Sequence, residues 1–227
     1  MENLMMLLMR AVVTLVFVVL VPHTVAAMPT RSRCAVAADS TLLQLQSSGQ
    51  TFADFLAAAR ARREGWLQVR DSSRVDDTVL ARARAVGGSW HLLVIAVDRC
   101  GDSMNSVPYL AKLAEQVPGL DLRIVLPEQG RAVQESHRSL DGRLATPTIV
   151  LLDADGRDVG CIVELPREIR EWAHGVRSQV SSDSLHAGIR QFYARDRGKG
   201  ITTEAVELLE AAKSGASRCE KGKSPQE

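Results

Sequence analysis

Leu92-Leu93-Val94-Ile95-Ala96-Val97-Asp98-Arg99-Cys100-Gly101-Asp102-Ser103 is the stretch on which the fold turns. Its first six residues are an unbroken, partly β-branched apolar run, the pattern of a strand buried on both faces of a parallel or mixed sheet. The run ends in two charged residues, and Cys100 follows just ahead of a helix expected over about residues 103–117. Val107, Leu110, Leu113 and Ala114 mark the apolar side of that helix. A cysteine at such a junction meets the unpaired N–H groups of the first helical turn and the positive end of the helix dipole, both of which favour an anionic sulfur. Arg99 pushes the same way and Asp102 pushes back. Ser103 stands where a second cysteine would complete a C-x-x-C pair.

Farther along the chain, residues 120–126 read as a second strand and 131–139 as a short helix. Thr146-Pro147 opens a third strand, Thr148 to Leu152. Asp153-Ala154-Asp155-Gly156 makes a tight turn, and residues 157–163 form the return strand. The order βαβα followed by a hairpin predicts an α/β fold, a central mixed sheet flanked by helices. Upstream, Thr51 and Asp54 have the form of a capping box before Phe52, Phe55, Leu56 and Ala59 at helical spacing. Another helix is expected over 77–86, ended by Gly87-Gly88. Residues 167–213 are helical, with breaks near Ser181-Ser182 and Gly198 to Gly200. Residues 28–50 show no sustained period and read as a loosely ordered lead-in, and 214–227 as a flexible polar tail.

The first 27 residues stand apart. Arg10 precedes an apolar run from Ala11 to Val21, Pro22 breaks it, and Val25-Ala26-Ala27 offers small residues for a signal peptidase. The run is about half the ~20 residues that span a bilayer, so a cleaved signal and export to the periplasm or cell surface are expected, with no stable membrane insertion afterwards. The alternative is an uncleaved N-terminal anchor, which would place Arg10 inside the span. The chain thus divides into a signal peptide (1–27), an N-terminal segment with helices (28–90), a core (91–166), C-terminal helices (167–213) and the tail. In all 227 residues, 28 Lys and Arg nearly balance 27 Asp and Glu, so nothing draws the protein to nucleic acid or acidic membranes.

Cys100-Gly101-x-Ser103 at a strand-to-helix junction, Pro108 eight residues after the cysteine, and Thr146-Pro147 before the next buried strand resemble the thioredoxin superfamily. The closest likeness is to a bacterial thioredoxin-like group with the pattern W-C-G-D-S/A. Its C-terminal helices carry a segment similar to Tyr193-Ala194-Arg195-Asp196-Arg197-Gly198. The resemblance covers roughly residues 51–213 and implies a thioredoxin-like fold with extra N- and C-terminal helices. It further implies a reactive Cys100, a cis peptide before Pro147 facing the sulfur, and a partner groove formed by Arg99, Gly101, Asp102, Ser103, Thr146 and Pro147. Two departures stand out: Arg99 replaces the usual Trp, and Ser103 cannot resolve a mixed disulfide.

Resolution then falls to a small thiol, a partner protein or another cysteine. Cys161, on the return strand, is the internal candidate. Cys34 and Cys219 lie near the two ends of the exported chain, where a structural bridge between them is one option. Four cysteines allow three complete pairings, and the sequence does not choose. The expected activity is thiol–disulfide exchange with a thiol- or disulfide-containing protein or a small thiol. The alternative is a non-catalytic module that holds a peptide or partner protein, with Cys100 a small buried residue and Asp102 and Ser103 only capping the helix. No metal or cofactor is expected: His23, His91, His137, His174 and His186 show no ligand spacing with one another or with cysteine. Asp153 to Gly156 lacks the later ligands of a calcium loop, and Ser181 to His186 reads as a helix cap rather than a hydrolytic triad.

Overall fold

In the computed structural model, which describes residues 40–222, the apolar run becomes β1 (Trp90–Ile95), with Leu92 to Ile95 almost wholly shielded from solvent. It lies parallel to β2 (Leu120–Val125) and antiparallel to β3 (Thr148–Leu152), which turns back as β4 (Asp158–Val163). A short β5 (Arg218–Cys219) runs parallel to β4, giving the order β2-β1-β3-β4-β5. The mixed, helix-flanked sheet expected from the sequence is present.

Side chains alternate across a strand, and this sorts the core into two layers. Leu92, Val94, Ile149, Leu151 and Ile162 pack against α4 (Asp77–Val86), α5 (Gly101–Gln116) and α9 (Lys199–Lys213). Leu93, Ile95, Val125, Val150 and Leu152 pack against Val133 of α6 (Arg131–Ser136) and the inner side of α1 (Ser40–Ser48). The Thr51 cap is formed: its hydroxyl oxygen accepts from the Asp54 N–H at 3.1 Å and starts α2 (Phe52–Ala58). The C-terminal breaks are also where expected, between α7 (Arg167–Val176), α8 (Ser182–Asp196) and α9. Ser181 caps α8, and Gly198 adopts φ +79°, with the Tyr109 ring so close that a Cβ would lie 2.1 Å from it.

Three expectations are corrected. The lead-in holds α1, and α3 (Arg63–Ser72) was not anticipated; Trp66 is its one buried residue. The tail is built into the sheet at β5, and the Gly222 N–H donates to the Arg138 carbonyl at 2.9 Å. Cys161 neither serves Cys100 nor leaves Cys219 to Cys34: Cys161 and Cys219 form a disulfide, with Cα atoms 4.5 Å apart. Alternation explains the correction. Ile162 faces the layer that α5 occupies, so its neighbour Cys161 faces the other side, beside Ala145 and Val163. Cys34 and the predicted signal segment lie outside the described residues.

A buried ion pair ties the C-terminal helices to the sheet. Arg170 and Glu204, each 4% exposed, meet at 2.7 Å, and the same guanidinium nitrogen reaches Glu220 at 2.8 Å. Among the described residues no helix is long and apolar enough to cross a membrane.

Candidate active site

Cys100 leaves β1 with extended backbone and becomes the N-cap of α5. Its sulfur accepts from the Ser103 N–H at 3.4 Å and donates to the Thr146 carbonyl at 3.1 Å. The Thr146–Pro147 peptide is cis. The two halves of the sequence motif, 46 residues apart, therefore meet at one partly exposed free thiol. Ser103 is fully buried, and its hydroxyl has no hydrogen-bond partner among the described residues. It is the backbone of Ser103, not its side chain, that reaches the sulfur. Gly101 opens the helix and its carbonyl accepts from the Asn105 amide at 2.8 Å. Arg99 is exposed.

The loop before the cysteine is held from behind. Asp98 accepts from the N–H groups of Arg60 and Ala61 at 2.8 and 2.9 Å. Those bonds, from Ala61 first and then Arg60, hold its carboxyl below the usual range. The Trp66 indole donates to the Asp98 carbonyl and the Arg62 guanidinium to the Arg99 carbonyl, both at 2.8 Å. On the other side the cis-proline turn is fixed by the Glu164 N–H donating to the Pro147 carbonyl at 2.8 Å. The Gln134 amide and the Thr148 hydroxyl both donate to the Ala145 carbonyl. Glu164 holds φ +67°, an uncommon conformation for a residue with a side chain.

Asp102 supplies the site's electrostatic tension. Burial first, and then the charge of Glu164, raise its carboxyl from the ordinary 3.8 to about 6. A hydrogen bond from the Tyr193 hydroxyl and the charges of Arg143 and Arg177 oppose the rise. Tyr193, on α8, is itself held well above its ordinary value by burial and by Asp102, and its hydroxyl lies 3.5 Å from the Ser106 hydroxyl. Glu164 is paired with Arg143 through both carboxylate oxygens at 3.0 Å. Arg143 and Arg177 also share Asp141, at 2.7 and 3.1 Å. Burial opposes ionisation of Asp141, but the Arg143 and Ser139 hydrogen bonds and the two guanidinium charges outweigh it and lower the carboxyl to about 2. A cleft of about 400 Å3 opens over this region, lined by Arg62, Gly101, Asp102, Asn105, His186 and Tyr193. A hollow of about 520 Å3 between α2, α3, α5 and β2 carries none of the motif residues.

The sign of the Asp102 effect follows from linkage. A carboxyl with a raised folded-state value binds more protons folded than unfolded between about pH 4 and 6, so stability falls as pH rises through that window. Asp102→Asn removes the penalty. It should stabilise the protein at pH 7 by on the order of 2 kcal/mol, with the gain fading toward pH 4. Urea unfolding at pH 7, 5.5 and 4 reads this directly, and a gain independent of pH would refute it.

Sequence reading anticipated Cys100, its flanking residues and the cis-proline turn, and the structure brings Cys100, Ser103 and Thr146 together. It missed Asp98 as an anchor and the contributions of Arg62, Trp66, Arg143, Glu164 and Arg177. Asp98 carried a faint signal, an acid directly after a buried strand; the others are brought in by tertiary structure alone.

A family model described as thioredoxin matches residues 49–181, a span that contains both Cys100 and Pro147. By structure the chain is similar to a protein of unknown function from Pseudomonas aeruginosa. The identity is 19% and the TM-score 0.60, covering 75% of this chain and 97% of that one. It is similar too to an HIV epitope scaffold, at 17% identity and a TM-score of 0.58, over 74% of this chain and 97% of that one. At such identities the likeness concerns fold alone. No curated protein sequence matches the chain significantly.

Proposed function

Because this chain belongs to the thioredoxin-like family, we propose that it performs thiol–disulfide exchange through the single thiol of Cys100. The observation that carries the proposal is the sulfur's position, between the Ser103 N–H and the carbonyl of the cis Thr146–Pro147 turn. The Cys100 thiolate attacks one sulfur of a partner disulfide. A Cys100–S bond forms, the partner's S–S bond breaks, and the departing sulfur leaves with the electron pair and takes a proton from solvent. Thr146 and Pro147 receive the partner's backbone beside the sulfur, and Arg99 meets its surface.

Resolution comes from outside the domain core. Ser103 is no nucleophile toward a disulfide, and Cys161 is bonded to Cys219 on the opposite face of the sheet. A small thiol, a thiol of the partner or Cys34, which lies outside the described residues, must attack the mixed disulfide and release Cys100. We further propose that the protein is exported to the periplasm or cell surface. The apolar N-terminal run supports this, as does a disulfide of the kind that persists in oxidising compartments.

A second reading, a partner-holding module without redox turnover, draws support from the missing resolving cysteine and the cleft beside Asp102. Cys100→Ser separates the two. In a Cys34→Ser background, the folded protein is mixed with an aromatic disulfide whose released thiol is coloured. The exchange reading requires one equivalent of released thiol, and complete loss of it in Cys100→Ser. Reaction of Cys100 only after unfolding would sink the exchange reading. Capture of the same partner proteins by Cys100→Ser and by the parent would favour the holding module.

A further inference from the structure

The disulfide has a companion that plays no part in the chemistry at Cys100. His137, at the end of α6, is 4% exposed, and a ring nitrogen lies within 4.8 Å of the sulfurs of both Cys161 and Cys219. Its Nδ1 lies 2.9 Å from the Val133 carbonyl and 3.0 Å from the Ser136 hydroxyl, which fixes the ring against its own helix. Nε2 lies 2.8 Å from the Asp158 carboxylate. Two sulfurs and one imidazole nitrogen thus converge near the ends of β4, β5 and α6, beside the apolar side chains of Ala145 and Val163, with the Asp158 carboxylate on the ring's Nε2.

We propose that, once the disulfide is reduced, Cys161, Cys219 and His137 hold zinc, and the neighbouring Asp158 carboxylate moves in to complete a tetrahedral site. Two thiolates, an imidazole and a carboxylate are a donor set that suits zinc. The Nδ1–carbonyl contact is the outer contact that holds a ligating imidazole by its other nitrogen. Zinc–sulfur distances of about 2.3 Å place two thiolates about 3.8 Å apart, so the bonded sulfurs need only separate across two strands already in register, Cys161 opposite Cys219. The step balances with a dithiol as reductant. The dithiol gives two electrons and two protons to the S–S bond and becomes a disulfide. Zinc then displaces the two thiol protons to solvent. In either state the C-terminal strand stays tied to β4, by a covalent bond when oxidised and by the metal when reduced. This site is independent of the exchange proposed at Cys100.

The test uses the full exported chain with Cys34→Ser and Cys100→Ser, so that Cys161 and Cys219 are its only thiols. The protein is reduced with a phosphine, which is then removed under argon, and Co2+ is titrated as a spectroscopic substitute for zinc. We expect one equivalent bound with thiolate charge-transfer and tetrahedral d–d bands, bleached by Zn2+, and no such bands in the oxidised protein. His137→Ala and Asp158→Asn, each first checked for folding in the oxidised form, should weaken Co2+ binding by at least about tenfold. Failure of the reduced chain to develop the bands would overturn the proposal, whether that chain stays folded or unfolds and is not refolded by metal. Unchanged affinity in both ligand variants would overturn it as well.

Discussion

Cys219→Ser lowers the stability of the folded protein by about 4 kcal/mol, the loop-closure value for a bridge of this span. The bridge joins residues 58 apart in sequence and encloses α7, α8 and α9. Cutting it returns a long loop's worth of conformational freedom to the unfolded chain while leaving the helices intact. At about 2–4 °C per kcal/mol for a domain of this size, the melting temperature should drop by roughly 8–16 °C. Position 219 is the informative one to change. Cys161 is 2% exposed among apolar neighbours, so serine there also buries a hydroxyl, at a further cost of about 1–3 kcal/mol if it finds no partner. The Cys161→Ser, Cys219→Ser double variant should therefore match Cys161→Ser rather than the sum of the two single changes. Calorimetry under non-reducing conditions reads all three, and a loss under about 1 kcal/mol in Cys219→Ser would show that the bridge does not constrain the chain.

Arg170→Met should cost about 3–5 kcal/mol, the range for removing one partner of a buried ion pair. Most of that loss comes from the partner left behind. Glu204 is 4% exposed, and without Arg170 its carboxylate keeps the Arg167 N–H at 2.8 Å and the Arg167 guanidinium at 3.9 Å but loses the close charge at 2.7 Å. Adding Glu204→Leu removes the stranded charge, so the double variant should recover much of the stability. Glu220, whose side chain is 47% exposed, is solvated whether or not Arg170 is present, and Glu220→Ala should cost no more than about 1 kcal/mol. Urea midpoints for these variants give the ordering. A double variant no better than Arg170→Met would place the effect in packing rather than in the orphaned charge.

The elements that were legible in the sequence are those whose cause is local. The buried run before Cys100, the Thr51 and Ser181 caps and the Gly198 break each write their conformation into a few adjacent residues, and all appear where expected. The cysteine and the turn at Thr146-Pro147 could be paired from the motif because both lie at strand ends that the sheet order brings together. What escaped notice has no local cause. The sequence of α3 is mostly polar, and the helix is held by Trp66, whose indole reaches the loop before Cys100. Two residues of β5 show no periodicity. The pairing of Cys161 depends on which face of β4 it takes, a parity set by the register with β3. His137 stands 24 positions from Cys161 and 82 from Cys219, so no spacing rule joins them.

Gly222 packs so close to the chain that a Cβ there would lie 2.1 Å from the Ser139 carbonyl oxygen, and only two residue pairs join β5 to β4. Such a short cover is weak as a ladder, yet it lies over the open side of the hairpin's outer strand. Strand edges left bare are templates for pairing with another molecule. When neither the sulfur bridge nor a metal secures the cover, β4 becomes the place where two copies can add strand to strand. Self-association would then be an early sign of damage to the C-terminal segment, ahead of any change at the distant thiol.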